Sequence, residues 1–310
     1  MAQISVLIIW LSYTAACKNK DSGFQSIIDS IMSTLSHLLL VFTDLDGCLL
    51  DHFTYDYELA RPALDKLKQS KVPLILTSSK TLAELAELSA ELKLQSPFIV
   101  ENGAGVVIPD GYFSTAVSGL VYHEGWWLKC FGPALSEILT TLHKIREENG
   151  FRFSGFSDMS SPEVADLTGL SLPRAEMAKQ RLFTEPVMWQ DSESNWQVFS
   201  RLIQESGLCH LRGGRFIHIT GGGDKGIALD WLRECYFKEA GVTPQVMALG
   251  DSENDIGMLR MADYPVVVRS PAHEPPLVTD KAGVALTDKM GPAGWNDAVI
   301  DRLKKFSNER

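Results

Sequence analysis

A chain of 310 residues, 45% apolar and 22% charged, has the length of two packed domains and the composition of a globular protein. Its net charge of -10 argues against nucleic acid or an anionic membrane as the main partner, and an anionic substrate would need a bound cation to draw it in. The five cysteines (Cys17, Cys48, Cys130, Cys209, Cys235) are odd in number and lack Cys-x-x-Cys spacing. They suggest neither a disulfide framework nor a zinc site, and a reducing, cytoplasmic setting fits them best.

In residues 1–36 the run from Ile4 to Trp10 is apolar, and Ala15-Ala16-Cys17 faintly resembles a lipoprotein processing site. No Lys or Arg precedes that run, and it is too short to span a bilayer. The expectation is an N-terminal extension outside the fold, upstream of a start at Met32, with no stable membrane partner.

The organised part opens with Leu38-Leu39-Leu40-Val41-Phe42, an unbroken apolar run that reads as a strand buried on both faces of a parallel sheet. Tyr57 to Lys71 has the spacing of an amphipathic helix, and Val72 to Thr77 reads as a second buried strand. Thr81 and Glu84 form a capping-box signature for a helix that carries Leu82, Leu85, Leu88 and Leu92 on one face. Pro97 to Val100 is a third strand. This alternation with short connections predicts a parallel sheet with right-handed crossovers.

Between residues 105 and 214 the rhythm changes to short β-like runs, aromatics and two helical stretches, Pro133 to Glu148 and Ser171 to Leu182, as expected of an inserted α/β domain. The alternation returns with a strand at Phe216 to Ile219, a helix at Lys225 to Ala240, a strand at Val246 to Leu249, a helix at Asn254 to Met261, a strand at Pro265 to Val268 and a closing helix at Trp295 to Phe306. The predicted organisation is a core of residues 37–104 and 215–310 with an insert of 105–214.

Chemistry is concentrated where predicted strands end, the rim on which open α/β sheets bind ligands. The first strand runs into Thr43-Asp44-Leu45-Asp46-Gly47, whose two carboxylates share one side because strand side chains repeat every two residues. Gly250-Asp251-Ser252-Glu253-Asn254-Asp255 follows a later strand. Were the two strands neighbours, Asp44, Asp46, Asp251 and Asp255 would converge, a set that needs a hard cation such as Mg²⁺. Taken singly, the first stretch is also an ordinary Asp-rich turn and the second an ordinary helix cap. Ser78 could bind phosphate oxygens at a helix start, and Lys225, which opens a helix, could reach the same rim. Gly221-Gly222-Gly223 is not a Walker A loop, since Gly226 stands where Ser or Thr is required.

These four stretches in this order resemble the haloacid dehalogenase superfamily, and the insert resembles the α/β cap of its Cof-type branch. The implied fold is a Rossmann-like parallel-sheet phosphohydrolase core with an inserted α/β cap. Thr77-Ser78-Ser79-Lys80-Thr81, Glu101-Asn102-Gly103-Ala104, Thr184-Glu185-Pro186, Gly214-Arg215-Phe216 with His218, Asp224-Lys225-Gly226 and Gly291-Pro292-Ala293-Gly294-Trp295 resemble, more narrowly, the mannosyl-3-phosphoglycerate phosphatases. Cys48 departs from the usual pattern, in which Thr follows Asp-x-Asp-Gly.

The resemblance implies Asp44 as nucleophile, Asp46 as general acid and base, and Ser78 and Lys225 as contacts to the phosphoryl oxygens. It implies Mg²⁺ held by Asp44, the Asp46 carbonyl and Asp251, with Asp255 and Asn254 in support. The implied partner is a small phosphorylated sugar-glycerate substrate, for which Arg181 and Arg215 are candidate carboxylate forks and Lys80, Asn102, Thr184 and His218 candidate sugar or glycerate contacts. Trp126-Trp127 could stack on a sugar or simply pack. Another phosphorylated metabolite as substrate, or a non-catalytic module on the same fold, are the competing readings.

Overall fold

The structure, a computed structural model, describes residues 38–212 and 216–309. The expected extension at 1–36 and the candidate Arg215 lie outside the described residues.

Strand β1 (Leu39–Thr43) is wholly buried. It runs parallel between β2 (Leu74–Leu76), with Val41 beside Leu74, and β11 (Gln245–Gly250), with Phe42 beside Ala248. Because strand side chains alternate, Leu39 and Val41 enter one apolar layer and Leu40 and Phe42 the other. The first layer is covered by α1 (Arg61–Gln69), α2 (Leu82–Glu91) and α9 (Gly291–Asn308), through Leu67, Leu85, Trp295 and Phe306. The second is covered by α7 (Lys225–Ala240) and α8 (Ile256–Met261), through Leu229, Leu232, Met258 and Leu259. Strands β12 (Tyr264–Arg269) and β13 (Ala285–Met290) complete a five-stranded sheet in the order β13-β12-β11-β1-β2, with every pairing parallel. Thr81 caps α2 through the reciprocal bonds its sequence promised, and Asp224 caps α7 by accepting from Ile227 N.

Beside β2, β3 (Phe98–Val100) continues the core through a parallel bridge from Thr77 to Ile99. It also starts an antiparallel sheet with β4 (Gly105–Pro109), β6 (Trp126–Cys130) and β5 (Val121–His123). This moves the boundary expected at residue 105. Val106 and Ile108 join the layer of Phe42, and Val107 and Leu128 that of Val41, so residues 105–130 belong to the core. Trp126 packs edge-on against Phe98, and Trp127 donates to Asp110 and packs against Tyr122, which makes both tryptophans packing residues.

The second unit follows, with α3 (Leu135–Asn149), β7 (Phe153–Gly155), α4 (Ser161–Thr168), α5 (Leu172–Lys179), β8 (Thr184–Trp189), α6 (Glu193–Glu205), β9 (Cys209–Arg212) and β10 (Ile217–Thr220). Its antiparallel sheet runs β7-β8-β10-β9. The sequence reading has β10 reopening the core, but the strand pairs with β8 and β9 in this unit. Its alternation of Ile217 and Ile219 inward with His218 outward is that of a sheet with one covered face; a strand buried on both faces would be apolar throughout. Helices α3 and α6 cover the sheet with Ile138, Leu142, Trp196 and Phe199. The two chain crossings between the units meet at Gly132 and Gly221, where a Cβ on Gly221 would fall 1.9 Å from Pro133 Cδ. Only glycine admits so close an approach.

Candidate active site

Parallel pairing of β1 with β11 brings the two acidic stretches to one rim, as their spacing suggested. Thr43 ends β1, and its hydroxyl donates to the Asp44 carbonyl at 2.6 Å while accepting from Trp295 Nε1 at 2.9 Å. The fully buried indole therefore fixes the first turn after β1, giving the Gly-Pro-Ala-Gly-Trp stretch a physical task. Cys48 Sγ is 3.8 Å from the same Thr43 hydroxyl, a long contact in place of the hydrogen bond a Thr would offer.

Lys225, the first residue of α7, is fully buried, and its ammonium lies 2.6 Å from Asp44 Oδ1 and 2.7 Å from Asp255 Oδ1. The other oxygen of Asp255 accepts from the backbone N–H of Asp251 and Ser252, both at 3.0 Å. Burial pushes the Lys225 ammonium toward losing its proton, but Asp255 and Asp44 outweigh it and hold the charge more firmly than in water. Burial raises the Asp44 carboxyl well above the ordinary range despite Lys225, with Asp255 and Asp251 pushing the same way. Asp251, buried beside Asp255, is raised to about 6.

Asp44, Asp251 and Asp255 each offer an oxygen within 4.8 Å of the others. One ammonium cannot balance three buried carboxylates, and the donor set is all hard oxygen, so these residues fit Mg²⁺. Asp46 turns its carboxylate elsewhere, with Oδ2 accepting from Lys80 Nζ at 2.8 Å and Oδ1 buried without a partner.

A cleft of about 700 Å³ opens over this cluster, lined by Asp44, Asp46, Ser78, Asn102, Asp251 and Asn254 from the core and by Leu211 and His218 from the second sheet. Ser78 is buried at its wall, and Asn102 accepts from Asn254 Nδ2 at 3.0 Å. His218 presents a buried Nδ1 without a partner; burial and the Arg181 charge depress its pKa to about 3, so it stands neutral in the cleft.

Arg181 and Thr184, expected to touch substrate, are occupied within the protein. Arg181 donates to the Ser79 carbonyl at 2.8 Å and to Thr184 Oγ1 at 2.9 Å, and Thr184 donates to Glu101 at 2.6 Å. Glu101 is the buried knot between the units, accepting also from the N–H of Leu182 and Phe183. A carboxylate that satisfies two backbone donors, a hydroxyl and a nearby guanidinium ties the second unit to the β3 turn.

Sequence reasoning passed over His273, whose Nε2 lies 3.2 Å from Asp251 Oδ2 in the loop after β12. That loop leaves the carboxyl end of a core strand, the same rule that singled out Asp44 and Asp251, so His273 was within reach of it. His52 also lines the cleft and carried no motif.

A family model described as haloacid dehalogenase-like hydrolase matches residues 41–115 and 217–275, the stretches that carry these groups. A glucosyl-3-phosphoglycerate/mannosyl-3-phosphoglycerate phosphatase of Methanococcoides burtonii is 38% identical over 271 residues, 87% of this chain and 98% of its own. A protein of the same description from Persephonella marina is 35% identical over 278 residues, covering 84% of this chain and 96% of its own. Among solved structures, a haloacid dehalogenase-like hydrolase from Bacteroides thetaiotaomicron superposes with a TM-score of 0.58 over 87% of this chain and 99% of that one, at 17% identity, a likeness of fold. Relatives that align through core and insert alike, with the acidic rim where their family model matches, settle the membership: the chain belongs to the haloacid dehalogenase-like hydrolases.

Proposed function

We propose that the protein is a Mg²⁺-dependent phosphatase that releases phosphate from mannosyl-3-phosphoglycerate and its glucosyl counterpart. The observation that carries this is the buried Lys225 bridging Asp44 and Asp255 beside Asp251, at the floor of a cleft that the second sheet overhangs with His218. Identity to the two hexosylphosphoglycerate phosphatases runs through the overhanging unit as well as the core, which favours their substrates over those of more distant relatives.

Asp44 attacks phosphorus in line, and an aspartyl-phosphate forms as the P–O bond to the glycerate oxygen breaks. Lys225 holds one Asp44 oxygen, which fixes the carboxylate's orientation and offsets charge as the phosphoryl group arrives. Asp46, with Oδ2 anchored by Lys80, has Oδ1 left to protonate the departing oxygen and then to take a proton from the hydrolytic water. Ser78, at the wall, offers a hydroxyl to the phosphoryl oxygens. Mg²⁺ would be held by Asp44 and Asp251 with Asp255 in support, and would supply the charge that lets a phosphate dianion enter so acidic a site.

His218, neutral beside a guanidinium, suits a sugar hydroxyl better than a carboxylate. Arg215 keeps the expected role of glycerate contact, Asn102 lines the cleft's core side, and Lys80 is joined to the cleft through Asp46. Residues 131–221 form the cap in this reading. The free thiols Cys48, Cys130, Cys209 and Cys235 support a cytoplasmic setting, and among the described residues no helix is long and apolar enough to cross a membrane.

The test is phosphate release with Mg²⁺ from the mannosyl and glucosyl compounds, 3-phosphoglycerate and mannose phosphates, with Asp44→Asn as blank. A preference of about 100-fold for the hexosyl compounds, roughly 2.7 kcal/mol of differential transition-state binding, is expected. Even turnover across the panel removes the named substrate, and no turnover above the blank removes the enzyme.

A further inference from the structure

Just past the acidic rim, from Asp51 to Asp56, the chain makes a turn that presents one aromatic ring to the second unit. Asp51 Oδ1 accepts from Phe53 N at 3.0 Å, Thr54 N at 2.9 Å and Thr54 Oγ1 at 3.1 Å, and the turn closes with Asp51 N donating to the Asp56 carbonyl at 2.8 Å. Tyr55 is thereby held at φ +59°, a left-handed conformation that a bulky residue adopts only under constraint and that glycine or asparagine would take at lower cost.

The Tyr55 ring has two cations from different units within 6 Å of its centroid. Lys80 Nζ is 5.3 Å from its centroid and Arg174 Cζ, on α5, is 5.9 Å away. Lys80 is the residue that grips Asp46. Space of about 120 Å³ separates the core from α5 here, lined by Tyr55, Lys80, Glu84, Leu170, Arg174 and Met177. The same helix is moored to the core nearby, where Thr81 Oγ1 donates to the Met177 carbonyl at 2.9 Å.

We propose that Tyr55 is a positioning residue that couples helix α5 to the acid/base carboxylate, its ring, which Arg174 also reaches, steadying Lys80 on Asp46. This rests on the phosphatase reading above. Cation–ring attraction falls steeply with distance, so an ammonium seated on the ring has fewer alternative rotamers, and Asp46 inherits that order. In kcat/KM, which reports formation of the aspartyl-phosphate and not its hydrolysis, a step both esters share, the consequence falls on one proton transfer. When the P–O bond to an alkyl oxygen breaks, its electron pair goes to that oxygen and needs a proton from Asp46. When p-nitrophenyl phosphate reacts, the phenolate leaves with the electron pair and needs none.

The experiment compares Tyr55→Leu, Tyr55→Phe and Arg174→Gln on mannosyl-3-phosphoglycerate and p-nitrophenyl phosphate, with thermal unfolding as a check on fold. Tyr55→Leu lowers kcat/KM on the alkyl ester about ten-fold more than on the aryl ester, a part of the about 10²- to 10⁴-fold that a placed acid contributes. Tyr55→Phe keeps the ring and restores the parent ratio. Equal losses on both esters, or a Phe variant as impaired as the Leu variant, overturn the proposal. A second measurement is independent of turnover: Arg174→Gln shifts the side-chain NMR signals of Lys80 in the parent protein and leaves them unmoved in the Tyr55→Leu background. If Lys80 responds alike in both backgrounds, the ring is not the link, whatever the substrate proves to be.

Discussion

Replacing Lys225 with Met removes the one ammonium from a cluster that holds Asp44, Asp251 and Asp255, all buried. Each of its contacts, at 2.6 and 2.7 Å, represents roughly 6 kcal/mol of Coulomb attraction at an effective dielectric of about 20. Much of that is cancelled by taking the ions out of water, and deleting one partner of such a set costs about 3–5 kcal/mol. For a chain of this size that corresponds to a fall in Tm of about 5–9 °C. The sign of the pH dependence follows from Asp44 and Asp251, both already raised above their ordinary values. A raised carboxyl favours the fold most below its unfolded pKa and loses that advantage as pH rises through its folded value. Losing Lys225 raises these groups further, so the deficit of Lys225→Met against the parent is larger at pH 8 than at pH 5. Mg²⁺ at 100 times its Kd adds about 2.7 kcal/mol to whichever form binds it. Urea unfolding of both proteins at the two pH values, without and with Mg²⁺, measures all of this. A deficit under about 1 kcal/mol, or one that grows as pH falls, refutes the charge-balance argument.

Glu101→Ala leaves the N–H groups of Leu182 and Phe183 and the Thr184 hydroxyl without their acceptor and the Arg181 guanidinium without its ion-pair partner; a loss of about 3–5 kcal/mol by urea unfolding is expected, while Glu101→Gln recovers part of it. Gly103→Ala places a methyl 2.1 Å from the Asp224 carbonyl carbon at φ +92°, so strain of about 1–3 kcal/mol and overlap of similar size should lower stability by about 3 kcal/mol or more. Since the methyl also lies 2.5 Å from Lys225 N, phosphate release should fall with it; unchanged turnover would disprove the coupling. His218, depressed to about 3, withholds a proton that the unfolded chain binds below about 6.5, so its contribution is present above that pH and is lost as pH falls toward 3. His218→Gln should therefore lose less stability than the parent between pH 6.5 and 4 in denaturant midpoints, and parallel curves would show that the imidazole is not held neutral.

The core and its rim were legible because their constraints are local. Five apolar residues in a row leave β1 no choice but burial on both faces, and the groups that follow such a strand have only the rim to occupy. Lys225 was legible by the same logic as the first residue of a capped helix, and the predicted span of that helix matches α7. Residues 105–130 were misassigned because β4 is short and its Gly105 and Pro109 mimic a turn, whereas its apolar residues serve both core layers. Strand β10 was misassigned because its partners, β8 and β9, are set by tertiary pairing that no local pattern encodes. Arg181 fared worst: a guanidinium near a cleft reads as an anion contact, and nothing in the sequence shows that a buried Glu101 and the Ser79 carbonyl already occupy it.

The contrast has a chemical origin. Phosphoryl transfer needs charge gathered at one point, and a parallel sheet gathers it by ending its strands together, so a few residues at strand ends carry the reaction. Recognition of the remaining substrate needs shape, which the cap supplies from several elements at once. Here the cap's own sheet reaches the cleft through Leu211 and His218, an apolar side chain and a neutral imidazole, while its arginine at position 181 is spent on the hinge. In the proposed reading, a face that offers no cation at those two positions suits hydroxyls and bulk there. In the proposed reading the glycerate carboxylate is left to the expected contacts Lys80, which is paired with Asp46, and Arg215. On that reading substrate charge and substrate shape fall to different sets of residues, and only the charge readers lie in short motifs contiguous in sequence.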